Sequence, residues 1–336
     1  MKHIKVLAAA MIAVVLTSSC VIRFDKKKIL EEVSRHKGAT LKASGVYVTK
    51  DTVVAPFTSL VMAPGYSDME FVQDTCTYVT VYGSDNVIPL LSILSENGRL
   101  SVGCDFNSSG YDRVVGDADV KFTVHAPSLD SIKIENVGDF VCRRLDVADR
   151  NLTITGNGRA DLDFGEVTAS TLTVECHGAS SVEFDSVRTS GSSWVLASGR
   201  SDVELGKLMA SSLSVDCSGT TSVSAYYVET GSCSLDVTGN SSVELETVCV
   251  DRILAGVSGR SDVDLDNVDV KDFDVTVSGS GSVSLAGKAV KAAYAVSGSS
   301  EVNAEDLRCG NTATTVSGRG SVKYLDADGK VVKKTK

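Results

Sequence analysis

The stretch Asp274-Val275-Thr276-Val277-Ser278-Gly279-Ser280-Gly281-Ser282-Val283-Ser284-Leu285 recurs in close variants about every twenty residues over more than half of the chain. Each copy alternates apolar and polar residues, passes a small Ser/Gly corner, and alternates again. Alternation of period two on both sides of a glycine corner predicts strand, turn, strand, and repetition at a fixed period predicts a stacked array. Corner glycines fall at Gly138, Gly158, Gly178, Gly199, Gly219, Gly239, Gly259, Gly279, Gly298 and Gly318, with spacings between 19 and 21. Four residues after them stand Cys142, Leu162, Val182, Val203, Val223, Val243, Val263, Val283, Val302 and Val322. A column of one residue class is what parallel strands need on an inward face.

A propeller blade would take about forty residues and make odd and even copies differ. They do not differ. The repeat therefore predicts an all-β chain folded as a right-handed parallel β-helix, a solenoid of about ten or more coils of about twenty residues, with an irregular β cap at its N-terminal end. The four prolines, Pro56, Pro64, Pro89 and Pro127, all precede the regular coils, as uninterrupted ladders require.

Upstream, the alternation is irregular. Runs at Phe57–Met62, Met69–Val72, Tyr78–Tyr82, Leu90–Leu94 and Leu100–Val102 read as strands, with Asn97-Gly98-Arg99 as a hairpin turn. The divisions expected are a signal segment at 1–19, an anchoring cysteine and polar tether at 20–49, one β-helix domain at 50–325, and a basic tail at 326–336. Within the domain, 50–127 holds the irregular first coils and cap and 128–325 the regular coils.

Lys2 and Lys5, an apolar run from Val6 to Leu16, and Thr17-Ser18-Ser19-Cys20 have the form of a secretory signal. A cysteine directly after small residues resembles a bacterial lipobox, which makes Cys20 the candidate lipidation site. Leu16 lies four residues before it, where the usual pattern places the aliphatic residue three before. The expected address is an exported, outer-membrane-anchored lipoprotein on the cell surface or the periplasmic face.

The balance is acidic, 33 Lys+Arg against 43 Asp+Glu, and basic residues cluster only at Lys26-Lys27-Lys28 and from Lys330 to Lys336, which argues against nucleic acid as a partner. The strand register places Cys176 and Cys217 two coils apart, about 9.6 Å, beyond the reach of a disulfide. Buried free thiols are expected instead.

Outward-facing positions carry what chemistry there is. Five residues after the glycines come Asp163, Glu183, Glu204, Ser224, Glu244 and Asp264, an acidic strip suited to keeping a long β-rod soluble and a candidate surface for ligand or cation. Arg159 with Asp161, Arg200 with Asp202, and Arg260 with Asp262 are spaced for local pairing across a corner. His125 and His177 have no evident nucleophile or metal partner in the sequence, so no catalytic residue, metal site or cofactor is expected. The near-constant coil length leaves no inserted loop to wall a cleft of the kind β-helix hydrolases and lyases use. Asp51-Thr52-Val53, Asp130-Ser131-Ile132 and Asp185-Ser186-Val187 resemble an O-glycosylation sequon of one bacterial phylum, making Thr52, Ser131 and Ser186 candidate acceptors.

Three features together resemble the putative auto-transporter adhesin head GIN domain family: Val54-Ala55-Pro56-Phe57-Thr58-Ser59-Leu60, Asn97-Gly98-Arg99-Leu100-Ser101-Val102, and the repeated Val-Ser-Gly-Ser-Gly-Ser-Val. The resemblance covers roughly residues 50 to 325. It implies an exported parallel β-helix, often a lipoprotein of Gram-negative bacteria, with adhesion proposed from architecture and no catalytic residues. The functional expectation is a non-enzymatic envelope lipoprotein, an adhesin or binding module for a glycan or a host or cell-surface protein. The alternative is a periplasm-facing structural lipoprotein, with a glycan-active enzyme a third reading.

Overall fold

The computed structural model describes residues 39–62, 68–103 and 111–336. Cys20, the signal segment, Lys26-Lys27-Lys28 and Cys104 lie outside these residues. The chain is nearly all β and forms a solenoid of about 10 turns. It divides into two compact units, one ending at Leu129 and one running from Asp130 to Lys336.

The first unit is built from short strands. β1 (Ala39–Lys42) and β2 (Tyr47–Val53) begin inside the segment read as tether, because Tyr47-Val48-Thr49 continues the alternation of Val53 backwards. β3 (Ser59–Met62), β4 (Asp68–Gln73) and β5 (Tyr78–Ser84) follow. Next come β6 (Ser92–Glu96), β7 (Arg99–Gly103), β8 (Tyr111–Val115) and β9 (Lys121–Ala126). β5 pairs antiparallel with β2 and with β9, which pairs parallel with β4, while β7 lies between antiparallel β6 and parallel β3. Asn97 (φ 52°) and Gly98 (φ 75°) make the tight turn between β6 and β7, both in the left-handed region that an Asn-Gly pair tolerates. Leu60, Met62, Met69, Val79, Leu100, Phe122 and Val124 fill its core.

The coil from Ser261 to Ser280 shows the plan of the second unit. One long strand, Asp262–Val277, bends twice. Its first face points Ser261, Val263 and Leu265 inward, its second Val268 and Val270, and its third Phe273, Val275 and Val277; all eight are buried. Every neighbouring coil pairs in parallel at the same columns, for example Val243 with Val263, Val263 with Val283, and Val283 with Val302.

The closing corner shows why glycine recurs. At Gly199 φ is +85°, and an added Cβ would lie 2.5 Å from the carbonyl oxygen of Gly178 in the coil below. The same contact repeats from Gly178 to Gly318, so each glycine is required both by a left-handed backbone and by close stacking on its neighbour.

Two departures from the even register are informative. The coil after Gly178 has an extra residue at its last corner, so that Leu172 faces Ser193 although Ala169 faces Thr189. The coil after Gly279 lacks one at its first corner, and Gly287 rather than Lys288 faces Val268. Lys288, placed by simple counting in the inward column, is therefore exposed and faces Asp269.

The earliest coil also departs from the count. Gly138 is buried instead of forming an exposed corner, and Gly165 backs onto the carbonyl of Arg143, 22 residues earlier. Phe140, Phe164 and Phe184 line up along this part of the core, with ring centroids 5.3 and 5.0 Å apart. At the other end the basic segment read as a tail forms a return strand, Val331–Thr335, antiparallel to Ser321–Leu325. Its turn is held by Asp326, whose carboxylate accepts from the backbone N–H of Asp328 and Lys330.

Candidate binding surface

Alternation turns every second side chain outward, and parallel stacking brings equivalent outward residues together in columns about 4.8 Å apart. The acidic strip is one such column: Asp163 faces Glu183, Glu183 faces Glu204, Glu204 faces Ser224, Ser224 faces Glu244 and Glu244 faces Asp264. All five carboxylates lie on the first face. Partial burial raises the Glu183 carboxyl above its ordinary value, and the neighbouring charges of Glu204, Asp163 and Asp185 add to that. Asp264 is raised by burial first, then by Asp266 and Glu244. The column is thus a row of mutually repelling acceptors. Among the described residues no group of three His, Cys, Asp or Glu side chains is arranged to hold a metal ion.

Several ion pairs form between coils, Lys133 with Glu135 pairs along one strand at 2.7 Å, and the corner pairs expected at Arg159, Arg200 and Arg260 do not occur among the described residues. Arg150 Nη1 lies 3.0 Å from Asp130 Oδ1, Lys271 Nζ 2.6 Å from Asp251 Oδ1, and Arg252 Nη2 2.9 Å from Asp274 Oδ2. Spacing favours the pairs between coils, since the next coil lies about 4.8 Å away and the next outward residue along a strand about 6.6 Å. These pairs are solvent-exposed and add little to stability.

The two histidines have local roles. His125 stacks on Tyr78 with ring centroids 4.1 Å apart, and its Nδ1 lies 3.4 Å from Asp74 Oδ2. His177 is exposed, with Nδ1 2.7 Å from the Ser198 hydroxyl. Cys142, Cys176, Cys217 and Cys233 are buried thiols outside any disulfide, and burial pushes Cys176 and Cys233 up to about 12 and Cys217 up to about 11. Such thiols are inert at neutral pH. Of the candidate glycosylation acceptors, Thr52 is 8% exposed in β2, while Ser131 and Ser186 are half-buried.

Two features went unread in the sequence. The first is a buried hydroxyl ladder two residues after the corner glycines, comprising Ser180, Ser201, Thr221, Ser241, Ser261 and Ser300. Ser180 donates to the carbonyl of His177, Ser201 to that of Ser198 and Ser241 to that of Thr238, each at 2.8 Å, and so each closes its own corner. The second is on the third face, where Trp194 and Leu196 point outward and are 40% and 38% exposed. Counting five and three residues back from Gly199 would have placed both outside.

The corner between the second and third faces is hollowed. One open depression of about 430 Å³ is lined by Arg188, Ser190, Met209, Ser211, Glu229 and Thr230. A second, of about 320 Å³, shares Glu229 and Thr230 and continues over Asp251, Asp269 and Lys271. A third, of about 390 Å³, lies over Arg252, Asp272, Lys291 and Asn311. Chemically the surface offers hydroxyls, carboxylates, two classes of cation and an exposed indole, all fixed to a hydrogen-bonded sheet.

Three solved structures match the chain at low identity. A putative adhesin from Parabacteroides merdae ATCC 43184 is 12% identical with a TM-score of 0.49, over 85% of this chain and 99% of that one. A putative adhesin from Bacteroides fragilis NCTC 9343 is 18% identical with a TM-score of 0.45, over 82% and 99%. A protein from Parabacteroides distasonis ATCC 8503 titled a putative lipid binding protein is 13% identical with a TM-score of 0.40, over 85% and 100%. No curated protein matches the chain. The family model described as "Putative auto-transporter adhesin, head GIN domain" matches residues 56–245 and 233–331, and the chain belongs to that family.

Proposed function

We propose that this protein is a lipid-anchored component of the cell envelope, attached through Cys20, whose solenoid serves as a non-enzymatic binding or adhesion module. The observation that carries this reading is the division of labour within each coil. Apart from the hydroxyl ladder at the corners, inward columns are apolar and nearly uniform, whereas outward columns change from coil to coil and expose Trp194, Leu196, Leu254 and Tyr226. A uniform wall with a varied outer surface suits recognition of an extended partner, a glycan or a surface protein. The adhesin family and the signal-like first residues agree with export.

The test is made in cells. Radiolabelled palmitate should be incorporated into the wild-type chain and not into the Cys20→Ser variant, and protease added to intact cells should remove the solenoid. A chain that carries lipid but resists protease until the cells are broken would favour the periplasm-facing structural role instead. A chain that takes up no label would sink the anchor.

A further inference from the structure

The only Trp of the chain lies outside its core. An indole on a solvent-facing sheet forgoes the burial that usually holds it, and in a monomer a lone exposed apolar residue would mean little. Trp194 is not alone. It is held between Thr173 and Ser214 in the strand register, so the ring stands on a backbone paired on both sides. Leu196 extends the apolar patch two residues on, and Asp216 faces Leu196 from the next coil. Ser192 and Ser212, two residues before Trp194 and Ser214, share a hydrogen bond of 2.8 Å.

In the same coil, Ser190 opens the depression of about 430 Å³. Ser190 lies four positions before Trp194, so their Cα atoms are at most about 14 Å apart. Arg188 supplies donors on this depression and Glu229 acceptors. Tyr227 Oη donates to Glu229 Oε2 at 3.0 Å and holds that carboxylate in place.

This combination selects a class of ligand. An apolar ring flanked in the register by Thr173 and Ser214, with a depression offering one guanidinium and one carboxylate further along the same coil, matches an oligosaccharide, whose pyranoses have a C–H face and an edge of hydroxyls that both donate and accept. A protein partner would call for a wider apolar centre, and an anionic polymer would be repelled by the acidic chain. We propose that Trp194 and the depression carrying Arg188 and Glu229 form a binding site for a neutral glycan. One pyranose stacks on the indole, and the next sugars meet Arg188, Glu229 and the serine hydroxyls. The proposal rests on the binding-module reading and names the ligand class and site within it.

A single tryptophan makes the test direct, because indole emission reports on this site alone. The full chain would be titrated with cellohexaose, maltohexaose, mannohexaose and N-acetylchitohexaose, following fluorescence and calorimetry. The expected result is saturable binding of at least one of them with a shift in emission. Trp194→Ala should weaken that binding about tenfold or more, Trp194→Phe should retain part of it, and Glu229→Gln should weaken it. Glu301→Gln, an exposed side chain several coils away, should leave affinity unchanged. Melting curves show that each variant is folded, and an outward ring leaves little reason for Trp194→Ala not to be. Absence of binding to all four at millimolar concentration, or equal affinity of Trp194→Ala, overturns the site. Beads coated with the protein that adhere to cells equally well with Trp194→Ala would overturn it while leaving the binding module intact.

Discussion

Val283 and Ser284 are adjacent in sequence and on opposite sides of the wall. Val283 is fully buried between Val263 and Val302, whereas Ser284 faces outward between Asp264 and Asn303. Val283→Asp must bury a carboxylate or protonate it, either of which costs several kcal/mol and should unfold the solenoid or lower its melting point sharply. Ser284→Asp adds one like charge beside Asp264, a penalty within about 1 kcal/mol. Thermal denaturation of the two variants checks this. Equal melting would contradict the inward register. That contrast was legible in the sequence, because period-two alternation assigns sides wherever one column of a repeat is unmistakably apolar.

At the scale of the element, the corner is more than a glycine. Ser241 donates to the Thr238 carbonyl and accepts from Thr221 Oγ1 at 3.0 Å, so one hydroxyl ties its own corner and the coil below. Ser241→Ala removes both bonds and strands a buried hydroxyl, with an expected loss of about 1–2 kcal/mol. Ser280→Ala, at an exposed corner position, should leave stability unchanged. Urea denaturation resolves the difference. Serines in a Ser-Gly-Ser run read naturally as solvent-facing turn residues. Their burial follows only once each corner is stacked on the previous one, which closes off water and makes the carbonyl of the same corner the available partner.

For the molecule as a whole, charge is the lever. The Glu183 carboxyl is raised above 4.5 in the folded state by burial and by its acidic neighbours. Between the unfolded and folded values the native state binds more protons, so stability falls as pH rises through that interval and stays lower above it. Glu183→Gln removes the penalty. Its melting temperature should exceed that of the wild type at neutral pH in low salt. The gap should close when pH falls below 4.5 and shrink in about 0.5 M salt, where the Debye length is only a few ångströms. A variant that melts lower than the wild type at neutral pH would show that the strip is held by something other than repelling acids.

By itself the sequence determined that this chain coils, how long a coil is, which residues face the core and which acids share a column. Those properties follow from alternation and a fixed period, both local to the strand. Only the tertiary structure decided that Lys288 leaves the inward column, that Gly138 is buried, that the last residues return as a strand, and that serines close the corners. It alone set Trp194 in the same coil as a hollow corner. One residue gained or lost at a bend shifts every later column, and a concave surface exists only where bends from several coils are stacked; neither is written in any single repeat.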